Sequence, residues 1–185
     1  GSGVLSVLQN NSDMIREKSS CSIHVTHVAT RNANHGCNVE NIQFSKDIFE
    51  VARDSDIDLV VELIGGTSSA LELVMLAISN GKHVVTANKA LIAEHGTSIL
   101  QAAYEANVIV AFEASVAGGI PILKSIREGL VANKINWLAG IINGTTNFIL
   151  SEMSSKGRSF ESVLEEAQKR GYAEADPTFD IEGID

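Results

Sequence analysis

The fold is decided by residues 58–90, DLVVELIGGTSSALELVMLAISNGKHVVTANKA. An apolar run at 58–64 ends in a glycine turn, and residues 68–81 then carry apolar side chains at helical spacing up to a glycine. A second apolar run follows at 83–87. Two continuous apolar runs joined by a helix predict parallel strands, because such strands are typical of a sheet covered on both faces.

The same alternation extends to both sides of this stretch. Helices are predicted at 4–18, 45–53 and 95–106, and strands at 22–29 and 108–114. The predicted fold class is therefore α/β, with a Rossmann-like dinucleotide-binding domain.

After Glu113, the alternation of predicted strands and helices gives way to a glycine-rich loop. We place a domain boundary there, with the dinucleotide-binding domain at 1–113 and a second domain at 114–185. The predicted elements of the second domain are a glycine-rich loop at 115–121 leading into a helix, a strand at 137–142, and helices at 146–156 and 159–170.

Composition and charge exclude several classes of protein. A formal net charge of −9 argues against nucleic acid or an anionic membrane as partner, because both require basic patches. No run approaches the roughly 18 apolar residues that a membrane span requires, and no signal peptide is predicted. Cys21 and Cys37 match no metal or redox spacing, so reduced thiols and a cytoplasmic location are predicted.

The chain begins GSGVLSVL, with glycine but no strand before the first helix. In a dinucleotide-binding fold, a strand and a glycine-rich turn precede that helix and let main-chain N–H groups approach the pyrophosphate. We therefore expect the first strand and the leading glycines to lie upstream of residue 1. A cloning remnant is the alternative explanation of a Gly-Ser start.

Arg31 lies where a dinucleotide-binding fold usually carries a carboxylate for the NAD ribose, just after the strand at 22–29. No acid is present in ATRNANHG, residues 29–36. An arginine at this place can accept a 2′-phosphate, which favours NADP over NAD. The alternative is that Arg31 is a solvated turn residue.

Two further clusters follow predicted strands, at the sheet edge where ligands bind in open α/β proteins. Gly65, Gly66 and Thr67 lie between a strand and a helix, and capping of that helix is a second, compatible role for Thr67 and Ser68. Asn88 and Lys89 follow the next strand. The apolar ALIA after Lys89 favours its partial burial, which would suit a lysine that carries a proton. A solvated surface lysine is the alternative.

Four stretches together resemble homoserine dehydrogenase in its bacterial single-function form. They are TANKALIAEHG at 86–96, AFEASVAGGIPILKSIREGL at 111–130, GIINGTTNFIL at 140–150 and GYAEADPTFDIEGID at 171–185. The resemblance implies interconversion of L-homoserine and L-aspartate 4-semialdehyde by hydride transfer with NAD(P), in threonine and methionine biosynthesis. It also implies a homodimer, in which the second domain is an α+β domain that binds substrate and forms the dimer.

Compared with the family, the chain is expected to be truncated at both ends. The family's first strand lies upstream, so Gly1 or Gly3 corresponds at most to the last glycine of the nucleotide turn. A second active-site lysine of the family lies four residues after the position of Asp185. The 1–185 chain alone is therefore expected to be inactive.

The resemblance assigns roles to individual residues. Lys89 and Asp185 are implied to be catalytic, and Glu174 to bind the α-ammonium group of the substrate, for which a carboxylate is the natural partner. Substrate binding is implied for Glu174, Asp180, Asp185, Gly144 and Thr145. For the turn Asn143-Gly144-Thr145, which is expected near the nicotinamide or the substrate, helix capping is the equal alternative. Nucleotide binding is assigned to Gly1, Gly3, Arg31, Gly65, Thr67, Asn88 and Lys89.

A cation site is implied as well. Glu113, with the main-chain carbonyls of Val116 and Gly118, matches a structural sodium site of the family. Hard oxygen ligands suit such an ion, and a glycine-rich loop can turn its carbonyls inward. A plain tight turn between two domains is the alternative.

Two other functions are weighed against this interpretation, namely another amino-acid-pathway NAD(P) dehydrogenase of the same fold and an inert fragment that only binds nucleotide. An acylating semialdehyde dehydrogenase is excluded, because its nucleophilic cysteine belongs in the second domain and both cysteines precede residue 40. A non-catalytic regulatory module would lack Lys89 or Glu174, and both are present.

Overall fold

The computed structural model describes residues 1–31, 42–141, 143–173 and 177–182. The chain forms two compact units, Gly1–Val131 and Ala132–Asp185. Because these units are defined by packing alone, the domain boundary near residue 113 stays a prediction. No helix within the described ranges is long and apolar enough to cross a membrane.

The first unit opens with two short helices, α1 (Ser2–Asn10) and α2 (Ser12–Ser19), rather than the single helix predicted at 4–18. Asn11 separates them with φ −115° and ψ 17°. Asparagine and serine favour caps over helix interiors, because their side chains hydrogen-bond nearby main-chain groups. The polar run Asn-Asn-Ser therefore interrupts the helix.

A small parallel sheet follows, formed by β1 (His27–Ala29) and β2 (Gln43–Ser45). β2 is absent from the sequence prediction, because three residues are too few to show a period. Helix α3 (Ile48–Arg53) begins after Asp47, whose Oδ1 accepts a hydrogen bond from the main-chain N–H of Phe49 at 2.8 Å. The predicted helix at 45–53 is thus confirmed without its first residues.

The second sheet is the centre of the first unit. Strands β3 (Leu59–Glu62), β4 (His83–Thr86) and β5 (Val110–Ala111) pair in that order and are all parallel. Helix α4 (Ser68–Ser79) connects β3 to β4, and α5 (Lys89–Glu105) connects β4 to β5. The β-α-β-α-β alternation predicted from the sequence is confirmed.

The core of the first unit lies between this sheet and its helices. Helix α4 buries Leu73, Val74, Ala77 and Ile78 on one face, as their spacing in the sequence requires. The other core residues include Ala52, Val60, Ala70, Val84, Leu91, Ile99, Ala103 and Val110. Burial of each large aliphatic side chain contributes about 1.5–3 kcal/mol, so the ends of the strands are held on a rigid platform.

The second unit contains α7 (Gly144–Lys156), α8 (Phe160–Lys169) and α9 (Thr178–Ile181) among its described residues. Residues Ile122–Lys124, which follow β5 in the chain, form the short helix α6 of the first unit. Gly157 ends α7 in the left-handed conformation that glycine adopts without a Cβ penalty. The two longer helices predicted for this part of the chain are confirmed.

The strand predicted at 137–142 is wrong for residues 137–141, which the structure describes as irregular. Trp137 and Ile141 are 80% and 85% exposed. A strand forms only where a neighbouring strand takes up its main-chain N–H and C=O groups. No described residue pairs with this segment, so its apolar sequence is not sufficient to make it a strand.

An ion-pair cluster joins α7 to α8. The Arg158 guanidinium contacts Glu152 of α7 at 3.4 Å and Glu166 of α8, which Arg170 also contacts. The hydrogen bond from Arg158 holds the pKa of Glu166 below its ordinary value. The pKa of Glu152 is also lowered, chiefly by the hydrogen bond from Lys156 and further by Arg158.

Replacement of Arg158 by Met is expected to lower the melting temperature of the full-length protein by a few degrees at pH 7, and by less in acid. Because the folded-state pKa values of both glutamates are lowered, their stabilising contribution is complete above the ordinary glutamate pKa of about 4.3. It is lost as the pH falls through the lowered values. Calorimetry between pH 7 and pH 3 would measure this.

Lys124→Met is the matched control, because Lys124 and its partner Glu128 are each 69% exposed and such pairs contribute little. A difference between Arg158→Met and the parent protein that does not shrink in acid would contradict the ion-pair explanation.

Candidate functional site

A buried polar network lies at the carboxyl ends of β3 and β4. Glu62 and Thr86 are the last residues of these strands, and both are fully buried. The Thr86 hydroxyl donates to Glu62 Oε2 at 2.5 Å. After β5, the hydroxyl of Ser115 donates to the main-chain oxygen of Thr86 at 3.0 Å. Polar side chains therefore connect the carboxyl ends of neighbouring strands.

The glycine turn after β3 is held by this network. Gly65 and Gly66 have φ values of 71° and 72°, in the left-handed region that favours glycine. Glu62 Oε1 accepts hydrogen bonds from the main-chain N–H groups of Ile64 at 2.8 Å and Gly65 at 3.3 Å. A Cβ at either glycine would meet nothing within 4 Å, so the turn borders open space.

Thr67 precedes α4, and its side chain makes no capping hydrogen bond. Thr67 thus occupies the N-cap position considered for it, but without the side-chain hydrogen bond of a cap. The first N–H groups of a helix lack intrahelical partners and favour anions, and α4 carries no acidic side chain in its first turn. This helix end and the adjacent glycine turn have the chemistry that a pyrophosphate requires.

Asn88 joins the glycine turn to α5. Its Nδ2 donates to the main-chain oxygen of Gly66 at 2.6 Å, and its Oδ1 accepts from the N–H of Leu91 at 3.0 Å. The second bond caps α5, which is why this helix starts at Lys89 and not at the predicted residue 95. Lys89 is exposed, so its predicted partial burial is wrong, since the first helical position at the sheet edge faces outward from the core.

A separate polar cluster in the second unit surrounds the first turn of α7. Asn143 Oδ1 accepts from the N–H of Thr146 at 2.7 Å, and Asn143 Nδ2 donates to Asp180 Oδ1 at 2.7 Å. The hydroxyl of Thr145 donates to the main-chain oxygen of Tyr172 at 2.5 Å. The residues on both sides of the acidic segment 174–176 are thus anchored to one helix terminus.

The capping alternative for the turn Asn143-Gly144-Thr145 is confirmed at Asn143. The residue that caps α7 is Asn143, and the Thr145 side chain bonds elsewhere, to Tyr172. Gly144 is the first residue of α7 and is exposed. Asp180 lies in α9. The structure brings three of the predicted substrate-binding residues together in this unit, and their contact with substrate stays a prediction.

The remaining sequence-predicted residues are spread out or lie outside the described ranges. Arg31 is exposed shortly after β1. Gly1 precedes α1 and Gly3 lies in its first turn, and both are exposed. Glu174 and Asp185 lie outside the described residues.

The predicted cation ligands occupy the loop after β5. Both carboxylate oxygens of Glu113 accept main-chain N–H groups at 2.9 Å, from Leu123 and Lys124 at the start of α6. Within the described ranges, no main-chain hydrogen bond reaches the carbonyl oxygens of Val116 and Gly118. Glu113 therefore has a structural role that the sequence did not predict, and the two carbonyls have the chemistry of cation ligands.

A cavity of about 360 Å³ opens at the opposite, amino ends of β3 and β4. Arg53, Asp58 and Lys82 are among its lining residues. The Lys82 ammonium donates to the main-chain oxygens of Ile57 at 2.7 Å and of Asp54, so this lysine ties a loop to the sheet. The cavity lies away from the glycine turn, and we assign no ligand to it.

Three polar residues of these clusters are absent from the sequence prediction, namely Glu62, Thr86 and Ser115. Glu62 had a usable signal, because it is the one acid inside the apolar run LVVELI. No sequence signal marks Thr86 or Ser115, because threonine and serine are common residues. Their hydrogen bonds depend on which strand end lies beside them in the fold.

The parallel sheet, with a glycine turn and an anion-favouring helix terminus at its carboxyl edge, defines a Rossmann-like dinucleotide-binding protein of the α/β class. A sequence profile described as "Homoserine dehydrogenase, NAD binding domain" matches residues 1–113, and one described as "Homoserine dehydrogenase" matches residues 121–185. The chain belongs to the homoserine dehydrogenase family.

Individual relatives agree with this assignment. The chain is 61% identical over 185 residues to homoserine dehydrogenase of Pseudomonas aeruginosa, covering 100% of this chain and 43% of the relative. A homoserine dehydrogenase crystal structure from Thiobacillus denitrificans matches with 56% identity and a TM-score of 0.90, covering 100% of this chain and 43% of that one. The chain thus spans less than half the length of these relatives.

A more distant structure carries a nucleotide. It is a hyperthermophilic archaeal homoserine dehydrogenase in complex with NADPH, 29% identical with a TM-score of 0.67, and the match covers 94% of this chain and 50% of that one.

Proposed function

We propose that the full-length protein interconverts L-homoserine and L-aspartate 4-semialdehyde with NAD(P), in threonine and methionine biosynthesis. One observation carries the proposal. In a chain of this family, Asn88 ties the Gly65–Gly66 turn to the helix that begins with Lys89, so a nucleotide turn and a proton-carrying side chain share one sheet edge. A hydride transfer coupled to a proton transfer needs both.

The nucleotide fits the residues at this edge. The left-handed glycines border open space, and the first N–H groups of α4 are available to a pyrophosphate. Gly65, Thr67 and Asn88 form the described part of the nucleotide site, with Gly1 or Gly3 contributing from α1. When bound, the oxidised nucleotide accepts the hydride that leaves the hydroxyl-bearing carbon of homoserine.

Lys89 carries the proton in this proposal. As the substrate C–O bond becomes a carbonyl, the neutral amine accepts the hydroxyl proton, and in the reverse direction the ammonium returns it to the developing alkoxide. Lys89 stands at the first position of α5, so the rigid helix holds it at the edge of the sheet. Asp185 is proposed to act with it as a second catalytic group.

Glu174, Asp180 and the first turn of α7 bind the substrate in this proposal. Glu174 pairs with the α-ammonium group, and Asp180 contributes a carboxylate whose Oδ1 is held by Asn143 at 2.7 Å. Gly144 and Thr145 present the first turn of α7, which suits the negative charge of the substrate carboxylate.

NADP is proposed as the preferred nucleotide. Arg31 is exposed shortly after β1, where a guanidinium can accept a 2′-phosphate. The archaeal relative that carries NADPH supports the same choice.

Arg31→Ser in the full-length protein is expected to lower kcat/KM for NADP about tenfold, since a hydrogen bond to a charged group is lost. The value for NAD should change little, because NAD lacks the phosphate. Steady-state kinetics with both nucleotides measure this, and Arg16→Ser, a change at an exposed arginine of α2, is the control. Equal losses with the two nucleotides would remove Arg31 from the 2′-phosphate site.

A structural sodium ion is proposed at the loop after β5. The carbonyl oxygens of Val116 and Gly118 would hold it together with Glu113, and Ala117 between them has a left-handed φ of 46°. That strained backbone directs successive carbonyls differently from a regular turn, which a cation ligand set requires. The ion would stabilise the loop and take no part in the reaction.

The full-length protein is proposed to be a cytoplasmic homodimer acting on small molecules. The test of the function is homoserine-dependent reduction of NADP and NAD, followed by absorbance, with aspartate as the competing amino-acid substrate. Turnover with homoserine supports the proposal. Turnover with aspartate alone would make the protein another amino-acid dehydrogenase of the same fold.

A further inference from the structure

Glu62 takes no part in the roles assigned so far, yet it lies fully buried at the centre of the polar network. We propose that Glu62 is a positioning residue that sets the geometry of the glycine turn relative to Lys89. This inference rests on the proposed function, which gives the turn its nucleotide and Lys89 its proton.

The surroundings of Glu62 show what the carboxylate holds. Burial of a charged or polar group is unfavourable unless it is hydrogen-bonded, and the run LVVELI is otherwise apolar. Glu62 accepts three hydrogen bonds, from the N–H groups of Ile64 and Gly65 and from the hydroxyl of Thr86. All three donors belong to the ligand edge of the sheet, so this carboxylate is satisfied by that edge.

The same network continues to Lys89. Thr86 Oγ1 accepts a hydrogen bond from the main-chain N–H of Asn88 at 3.0 Å. Asn88 Nδ2 in turn donates to the main-chain carbonyl of Gly66 at 2.6 Å. The glycine turn is thus fixed at its start by Glu62 and at its end by Asn88. Since Lys89 is the next residue, a shift of the turn is transmitted to it through this closed set of bonds.

The chemistry of the network requires a carboxylate. Both oxygens of Glu62 act as acceptors, so the hydroxyl of Thr86 can donate to Glu62 while its oxygen accepts from Asn88. With glutamine, an NH2 group faces Thr86 in place of an acceptor. The hydroxyl hydrogen of Thr86 then loses its partner, and the bond pattern on which Asn88 depends must change.

The experiment uses the full-length protein with Glu62→Gln, Thr86→Val and Thr86→Ser. Valine removes the hydroxyl at nearly the same size, and serine retains it. Glu72→Gln on the exposed side of α4 is the matched control for the chemical change. NADPH affinity from fluorescence titration, kcat, the KM of each substrate and the melting temperature are measured for every variant.

For Glu62→Gln and Thr86→Val, we expect NADPH affinity and kcat each to fall roughly tenfold or more, since small displacements of positioned groups have effects of this size. The homoserine KM should stay within about threefold of the parent value, because substrate-binding groups are not part of this network. Thr86→Ser and Glu72→Gln should retain parent values.

Variants that melt at lower temperature but keep parental NADPH affinity and kcat well below that temperature would overturn the inference, because Glu62 would then only stabilise the fold. Loss of function in Thr86→Ser equal to that in Thr86→Val would also overturn it. Absence of homoserine turnover in the parent protein would instead refute the proposed function. NADPH titration still tests the positioning of the turn in that case.

Discussion

Lys89→Ala in the full-length protein is expected to lower kcat for homoserine oxidation about a thousandfold, within the range that a positioned proton carrier contributes. Lys89 is the first residue of α5 and is exposed, so its removal leaves the core and the Asn88 cap unchanged. The loss should therefore appear in turnover, with little change in melting temperature. Stopped-flow measurement of NADPH formation would isolate the chemical step.

Chemical rescue makes this prediction specific. Added methylamine should restore part of the rate in Lys89→Ala, and the restored rate should rise with the concentration of free amine. Lys46→Ala, a change at another exposed lysine of the same unit, should behave as the parent protein. A Lys89→Ala enzyme that keeps more than a tenth of the parental kcat would assign the proton to another group.

Glu174→Gln is expected to raise the KM for homoserine about a hundredfold, since a hydrogen-bonded pair between the carboxylate and the substrate ammonium is lost. The KM of the nucleotide should not change. Glu182→Gln is the matched control, because Glu182 is an exposed acid of the same unit. Initial rates at varied homoserine give both constants.

A substrate without the ammonium group sharpens this test. With 4-hydroxybutyrate, the parent protein and Glu174→Gln should have nearly the same kcat/KM, because the proposed pair cannot form in either. A constant penalty for Glu174→Gln with both substrates would show that the carboxylate shapes the segment instead of binding the ammonium.

The sequence predicted those features that depend on local pattern. The apolar runs around residues 58–64 and 83–87 predicted two parallel strands, and the glycine pair between them predicted a turn at the ligand edge, which the left-handed φ values confirm. Family membership followed from four stretches of residues and is confirmed by profiles that match residues 1–113 and 121–185.

Features that depend on distant residues were not predictable in the same way. The apolar segment at 137–141 reads as a strand, but strand formation depends on a pairing partner that local sequence does not reveal. The prediction that Lys89 is partly buried was also wrong, because apolar neighbours along the chain do not determine which way the first turn of a helix faces. The hydrogen bonds of Thr86 and Ser115 could be identified only from the structure, because they form where the ends of three strands lie side by side.

The exposed indole of Trp137 gives the protein a built-in optical reporter. It is the one tryptophan of the chain, so the intrinsic indole emission comes from a single, solvent-facing site. Any surface that covers this side chain would move the emission to shorter wavelength and shield it from iodide quenching. Association at residues 137–141 can therefore be followed without a label.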